Sequence, residues 1–459
     1  MKCVKNSICF LYEFFKLYGS KNPAKTDTII NTEMGDFPMG GRVYLCIDLK
    51  SFYASVECVE RGLDPMKANL AVADPERGSG TLCLAISPAM KAQGVKNRCR
   101  VYQIPRDVEY IKAPPRMKLY IEYSAEIYGI YLKYIAKEDI HVYSIDEAFL
   151  DVTQYLPLYG LTAKELAVKL MDDVRESTGI TATAGIGTNL YLAKVALDIM
   201  AKHVKDNIGC LDEDKYRKKL WDHTPLTDFW RVGAGTQRRL GNLGIRTMRD
   251  IANADADLIY SLFGVDAELL IDHAWGREST TMADIKAYKP RSSSLSSGQA
   301  LLRDYTFEEG RLLLKEMVDA LCLDMASQGL VTSSVSILVG YSYEAGIRPA
   351  TGSAPLPAGT NSYQEIMPHV LCVYDRIAER KLPIRRLNVS CNRIMQETYE
   401  QYELFTDYEA RERERKLQRA VLEVKQRFGK NALIRGMDLL EAGTAMERNM
   451  QIGGHKSGR

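Results

Sequence analysis

Hydrophobic positions fall into short apolar runs separated by amphipathic segments, and the period of each run predicts its element. Residues 43–48 (VYLCID) read as a strand that ends on a carboxylate. Phe52, Val56 and Val59 share one helical face, and Gly62 closes that helix. Strand-like runs follow at 70–74 and 81–87, and Pro88 stands where it can open a helix. A long helical pattern over 115–139 is rich in tyrosine (Tyr120, Tyr123, Tyr128, Tyr131, Tyr134), a stripe that predicts core packing. Then come the run 142–153 (VYSIDEAFLDVT), a helix over 161–178, a strand over 180–186, the turn GIGTN and the helix LYLAKVALDIMAKH. Strand, helix, two strands, helix and strand in that order predict an antiparallel sheet backed by two helices.

The pattern then changes. Residues 210–285 read as helical, with a turn at Gly233-x-Gly235 and a second at Gly244. Residues 288–302 (YKPRSSSLSSGQALL) have the Pro, Ser and Gly content of an exposed linker. A helix over 308–328, an alternating strand over 331–342, a polar loop through residue 362, a helix over 363–379 and a strand over 384–394 predict a compact last domain. Alternation along that last strand predicts that Arg385 and Arg386 point to opposite faces. Beyond it lie an apolar hook (QYELFTD, 401–407), a highly charged helix, and a tail from Asn431 whose last dozen residues are expected to be mobile. Residues 1–40 look extraneous to the first domain, and a start at Met34 or Met39 fits the text as well as one at Met1.

At 459 residues the chain should divide into several domains, and its 46% hydrophobic content is that of a globular protein. With 61 Lys and Arg against 59 acids, no overall basic field announces nucleic acid, though separate basic faces are compatible with that balance. No run approaches the roughly 18 apolar residues of a membrane span and no secretory design opens the chain, so a cytoplasmic protein without membrane contact is expected. The ten cysteines are scattered without a CxxC pair. Those in apolar surroundings, such as Cys46, Cys83 and Cys372, are expected to be reduced and buried.

Candidate chemistry centres on Asp146 and Glu147, adjacent acids inside an apolar run. Buried neighbouring carboxylates need a cation or a partner to offset desolvation and repulsion. If the strand ending at Asp48 pairs with this run, three carboxylates can converge on one or two divalent ions, the arrangement phosphoryl transfer uses. Ordinary strand-end acids are equally compatible with the spacing. The basic run Lys91, Lys96, Arg98, Arg100 and Arg106 lies between the two acidic strands and suits phosphate, as does Lys194 after its Gly-rich turn. Solvated surface charge and a snorkelling lysine are the plain alternatives.

Three motifs, IDLKSFYASVE (47–57), YSIDEAFLDV (143–152) and AGIGTNLYLAKVALDIMAKH (184–203), resemble those of Y-family translesion DNA polymerases in order and spacing. The likeness is greatest to the UmuC-like and UvrX-like branch of Gram-positive bacteria and spans about residues 41–455. It implies an α+β right-hand polymerase. The parts would be a ferredoxin-like palm over 41–209 with small fingers inserted at about 49–110, and a thumb over 210–285 with a helix-hairpin-helix. A linker over 286–300, a little finger over 301–398, and a clamp-binding motif with a C-terminal tail over 399–459 would complete the chain.

By that resemblance Asp48, Asp146 and Glu147 would hold two magnesium ions, Tyr53 would be the steric gate against ribonucleotides, and Phe52 would touch the sugar. Lys194 would contact the triphosphate. Lys91 stands where the family usually has a triphosphate-binding arginine, and Pro88 where many members have a phosphate-binding tyrosine, so the nucleotide grip here departs from the pattern. Gly233 and Gly235 would hold duplex backbone, Arg385 or Arg386 would track phosphates, and Gln401, Leu404 and Phe405 would dock on a sliding clamp. The expected partners are primer-template DNA, deoxynucleoside triphosphates and the clamp, with a recombinase filament or accessory protein left open. The implied activity is low-fidelity, low-processivity synthesis across damaged template in an SOS-type response. A non-catalytic DNA- and clamp-binding accessory is the alternative. A nucleotidyl cyclase shares the acidic sheet but leaves the Gly turn and the hook without a use.

Overall fold

The computed structural model describes residues 41–290, 293–397 and 408–458, and the chain divides into two compact units at Tyr288 and Lys289. The extension 1–40 and the hook residues Gln401, Leu404 and Phe405 lie outside the described residues.

In the first unit, β1 (Tyr44–Leu49) leads into α1 (Phe52–Val59) through Ser51, whose φ of 50° makes the sharp turn. A small sheet follows from β2 (Leu70–Val72), β3 (Ala85–Ile86) and, after α2 (Pro88–Ala92), β4 (Ile111–Ala113). Then come α3 (Met117–Tyr131), β5 (Ile140–Val142), β6 (Glu147–Asp151), α4 (Ala163–Thr178), β7 (Ala182–Gly187), α5 (Leu190–Val195) and β8 (Ile208–Leu211). The main sheet has the order β5-β6-β1-β7-β8, with β1 antiparallel to both neighbours. Its first four strands have the ferredoxin-like arrangement expected. The pair β7–β8 is parallel, so the sheet is mixed rather than wholly antiparallel. Strand β1 reads as a continuous apolar run because both of its faces are covered. Tyr44 and Cys46 pack with Phe149, Leu190 and Ala193, while alternation sends Leu45 and Ile47 to the opposite face.

Two glycines explain how α5 approaches this sheet. A Cβ on Gly185 or Gly187 would collide with the backbone of Ala193, so their bare backbone in β7 lets the helix lie close. Short helices from Glu213 to Ala287 complete the unit around Tyr216, Phe229, Leu240 and Ile259. One of them, α6 (Ala234–Gly241), starts at Gly233.

In the second unit, β9 (Ser294–Tyr305), α7 (Phe307–Ser327), β10 (Leu330–Tyr341), β11 (Ala350–Thr360), α8 (Tyr363–Ile377) and β12 (Ile384–Asn392) form an antiparallel sheet β11-β10-β12-β9. The helices α7 and α8 pack on one of its faces through Leu314, Met317, Val370 and Tyr374. Several expectations are corrected here. The expected linker is a strand from Ser294 onward, and the expected polar loop holds β11. Both are edge strands, whose small, polar and proline residues (Pro355 and Pro357 in β11) carry no apolar alternation to reveal them.

The arginine pair differs as well. A β-bulge at Arg385 inserts one residue opposite Gly340 and Tyr341, so Ile384 and Leu387 are both buried. Arg385 and Arg386 therefore both lie off the core rather than on opposite faces, with Arg385 3.5 Å from Asp304. The charged helix α9 (Tyr408–Phe428) docks by ion pairs, Arg411 with Glu365 at 2.6 Å among them.

The tail is ordered through residue 458, against expectation. Glu316 is fully buried in α7 and its carboxylate accepts from the Thr444 backbone N–H and from Arg448 at 3.1 Å, partners that only the tail supplies. Cys372 is exposed on the outer side of α8, whereas Cys46 and Cys83 are buried as expected.

Candidate active site

Pairing of β1 with β6 sets Asp48 directly opposite Glu147 and places both at one end of the main sheet. The turn before β6 is fixed from two sides. Ser124 Oγ of α3 donates to the Ile145 carbonyl at 2.6 Å, and the Leu49 N–H donates to the Asp146 carbonyl at 2.9 Å. Ser144 Oγ donates to the Asp146 carboxylate at 2.6 Å. Asp48 lies in the field of Asp146. Burial, reinforced by the Asp146 charge and opposed by Lys202, raises the Asp48 carboxyl to about 7.

Glu147 does not join them in a three-acid cluster. Its Oε1 and Oε2 lie 2.9 and 3.0 Å from Lys194 Nζ, and Oε1 accepts from Cys46 Sγ at 3.1 Å. The cause is Lys194 itself, which is 9% exposed and needs carboxylate partners. Burial disfavours its charge, but Glu147 and Asp198 outweigh that and keep it protonated. Among the described residues no group of three or more His, Cys, Asp or Glu side chains is arranged to hold a metal ion. Asp48 and Asp146 nonetheless fit one. They are hard oxygen donors close together at a sheet end, and a divalent cation would offset the burial and the repulsion that together raise Asp48.

Asp198 and Lys202 were not singled out from the sequence, and they extend the ionic chain. Lys194 Nζ lies 2.9 Å from Asp198 Oδ2, and Lys202 Nζ lies 2.8 Å from Asp198 Oδ1 and 4.0 Å from Asp48 Oδ2. The series Glu147, Lys194, Asp198, Lys202, Asp48 alternates in sign along its length. Lys202 is the more open of the two lysines, with 44% of its side chain exposed. The recurrence of charge at 194, 198 and 202 was the available signal, because i,i+4 positions share a helix face. Both i,i+4 pairs form although the backbone there passes from α5 into a π-helical stretch, Ala196–Met200.

Lys91 lies in the last turn of α2, whose N-terminus carries Pro88 and is capped by Ser87. The Lys91 side chain is exposed, yet partial desolvation lowers its pKa, and Asp48, Asp146 and Lys202 are among the charges acting on it. Tyr53 stands in the first turn of α1 with its hydroxyl pushed up to about 12 by burial and by Asp146. Phe52 is buried in the core. Lys91 thus lies in the field of both Asp48 and Asp146, Lys202 acts on Asp48 and Asp146 on Tyr53, while Lys194 also acts on Asp48 but is itself buried. Gly233 is the N-cap of α6 and Gly235 lies in its first turn, with open space where a side chain would stand on either.

Comparison with known proteins adds ancestry to this geometry. Residues 47–198 match the impB/mucB/samB family, and residues 292–404 match the C-terminal domain of that family. The chain is 32% identical over 417 residues to the protein UvrX of Bacillus subtilis (strain 168), covering 90% of this chain and 97% of that protein. It is 30% identical over 430 residues to DNA polymerase IV 2 of the same organism, covering 91% of this chain and 99% of the relative. A chimeric Y-family DNA polymerase of known structure superimposes with a TM-score of 0.62 at 21% identity, over 77% of this chain and 99% of the chimera, a likeness of fold.

Proposed function

The chain belongs to the impB/mucB/samB group of Y-family translesion DNA polymerases, and from that premise we propose that it adds deoxynucleotides to a primer 3′-OH opposite damaged template. One observation carries the proposal: two crowded carboxylates, Asp48 and Asp146, share the surroundings of Lys91, Lys202 and Tyr53. When bound, two magnesium ions would activate the 3′-OH and stabilise charge on the triphosphate, with Asp48 and Asp146 as their ligands and Glu147 joining if it turned from Lys194.

In this reading Lys202 and Lys91 bind the triphosphate, and Lys194 holds Glu147 and Asp198 in place. Tyr53 closes the space a 2′-OH would need, and Phe52 supports the sugar side from the core. Gly233 and Gly235 offer backbone N–H groups to a DNA phosphate, and Arg385 and Arg386 follow the duplex backbone. Gln401, Leu404 and Phe405 are proposed to dock on the sliding clamp, the polar residue and the apolar pair filling separate pockets.

The test is primer extension by the purified protein with magnesium, primed template and deoxynucleotides. Extension that disappears in Asp146→Ala supports the proposal. Absence of extension by the parent protein, with primed DNA still bound, would favour the non-catalytic accessory, a reading supported by the engagement of Glu147 with Lys194.

A further inference from the structure

The hydroxyl of Tyr120 leads to a second level of organisation beneath Tyr53. The two rings stack with centroids 4.6 Å apart and planes at 19°, although Tyr53 belongs to α1 and Tyr120 to α3. Tyr120 is fully buried and its hydroxyl donates to Glu57 Oε1 at 2.8 Å. Glu57 lies one turn after Tyr53 on α1, so Tyr120 touches the same helix twice, with its ring at one turn and its hydroxyl at the next.

Glu57 is itself clamped. Its carboxylate is fully buried, accepts from Arg116 Nε at 2.9 Å and Nη2 at 2.8 Å, and pairs with Arg61. Burial opposes its charge, and these donors outweigh the burial and hold its pKa below the usual range. A buried ion cluster of this kind is a poor source of net stability compared with apolar packing, but it fixes geometry. Here the geometry it fixes is that of Tyr120, and through the stack that of Tyr53.

We propose that Tyr120, tethered by the Glu57–Arg116 clamp, is a positioning residue for sugar selection: its ring backs Tyr53 and sets the plane the gate presents to the nucleotide ribose. The proposal rests on the polymerase reading and on Tyr53 as the gate. A gate works by steric exclusion, so a ring free to tilt admits a 2′-OH that a ring fixed from behind rejects. An aromatic stack contributes up to about 1.5 kcal/mol, roughly a tenfold factor in a rate ratio.

The experiment measures kcat/KM for single deoxynucleotide and ribonucleotide insertion by the full chain carrying Tyr120→Leu, Tyr120→Phe, Tyr53→Ala, or Tyr53→Ala with Tyr120→Leu. Tyr120→Leu, which loses both the planar support and the tether, should relax the deoxy-to-ribo preference about tenfold. Tyr120→Phe, which keeps the stack and loses the tether, should relax it about threefold. Neither change should matter once Tyr53 is alanine, so the double variant should match Tyr53→Ala. A merely structural role would lower both insertions alike and leave the ratio where it was. If Tyr120→Leu fails to fold, the near-isosteric Tyr120→Phe carries the test. An unchanged ratio in the folded variant overturns the proposal, provided Tyr53→Ala has itself relaxed the ratio. If Tyr53→Ala leaves the ratio unchanged, the gate assignment fails and the proposal falls with it. Absence of insertion by the parent chain overturns the polymerase reading instead.

Discussion

Asp48 and Glu57 stand on adjoining elements, nine residues apart, and both are acids withdrawn from water. Their surroundings are opposite. Glu57 receives Arg116, Arg61 and the Tyr120 hydroxyl, and its pKa is depressed. Asp48 has Asp146 for a neighbour and its nearest cation, Lys202, at 4.0 Å, and its pKa is raised to about 7. An acid whose partners are all protein side chains serves architecture. An acid crowded by another acid at a sheet end has its charge opposed rather than satisfied by the protein, and the proposed function gives it a cation to hold.

Substitution can break that contrast at either acid. Asp146→Ala and Asp48→Ala should each reduce nucleotide addition at least about a thousandfold in steady-state extension. Both should leave the thermal midpoint unchanged or raised, because each removes repulsion. Glu57→Ala should do the reverse, destabilising by about 3–5 kcal/mol in urea titration, because two arginines lose their buried partner. A Glu57→Ala protein as stable as the parent would remove the distinction between the two acids.

The lysines sharpen the comparison. Lys202→Ala should raise the KM for deoxynucleotides about tenfold with little change in stability, since its side chain is half open. Lys194→Met should instead cost about 3 kcal/mol of stability by leaving Glu147 and Asp198 facing each other. An interchange of these outcomes would assign the triphosphate contact to Lys194, as the family resemblance implies, instead of Lys202.

The smallest effect concerns a third buried acid. Burial works against the charge of Glu278, but hydrogen bonds from His273 and Thr280 lower its pKa from 4.5 to about 2. Its folded-state value lies below the unfolded one. The stability it contributes is therefore fully present above about pH 4.5 and is lost as pH falls toward 2. Glu278→Gln should flatten that limb of the denaturation profile by about 2 kcal/mol.

Local pattern reached a good part of this. The apolar run at 43–48 is β1, and the 161–178 pattern is α4. These features depend on neighbours two to four residues apart, which is the range over which periodicity speaks. The edge strands β9 and β11 escaped because small and proline residues at a sheet margin leave no alternating signal. The ordered tail escaped because its partner, Glu316, lies more than a hundred residues earlier. Cys372 was misjudged because apolar neighbours in sequence do not say which side of a helix faces out.

The sequence by itself determined the ferredoxin-like order of the first sheet and the family, and it singled out Asp48, Asp146, Glu147, Tyr53, Lys91 and Lys194. Tertiary structure alone decided how those charges are shared: Glu147 goes to Lys194, Asp48 is left with Asp146, and Lys202 stands open beside them. It alone set Tyr120 behind Tyr53, across 67 residues of chain. The reason is physical. Element type follows from local spacing, but which of several buried charges satisfies which other depends on distances that exist only after the sheet has paired and the helices have packed.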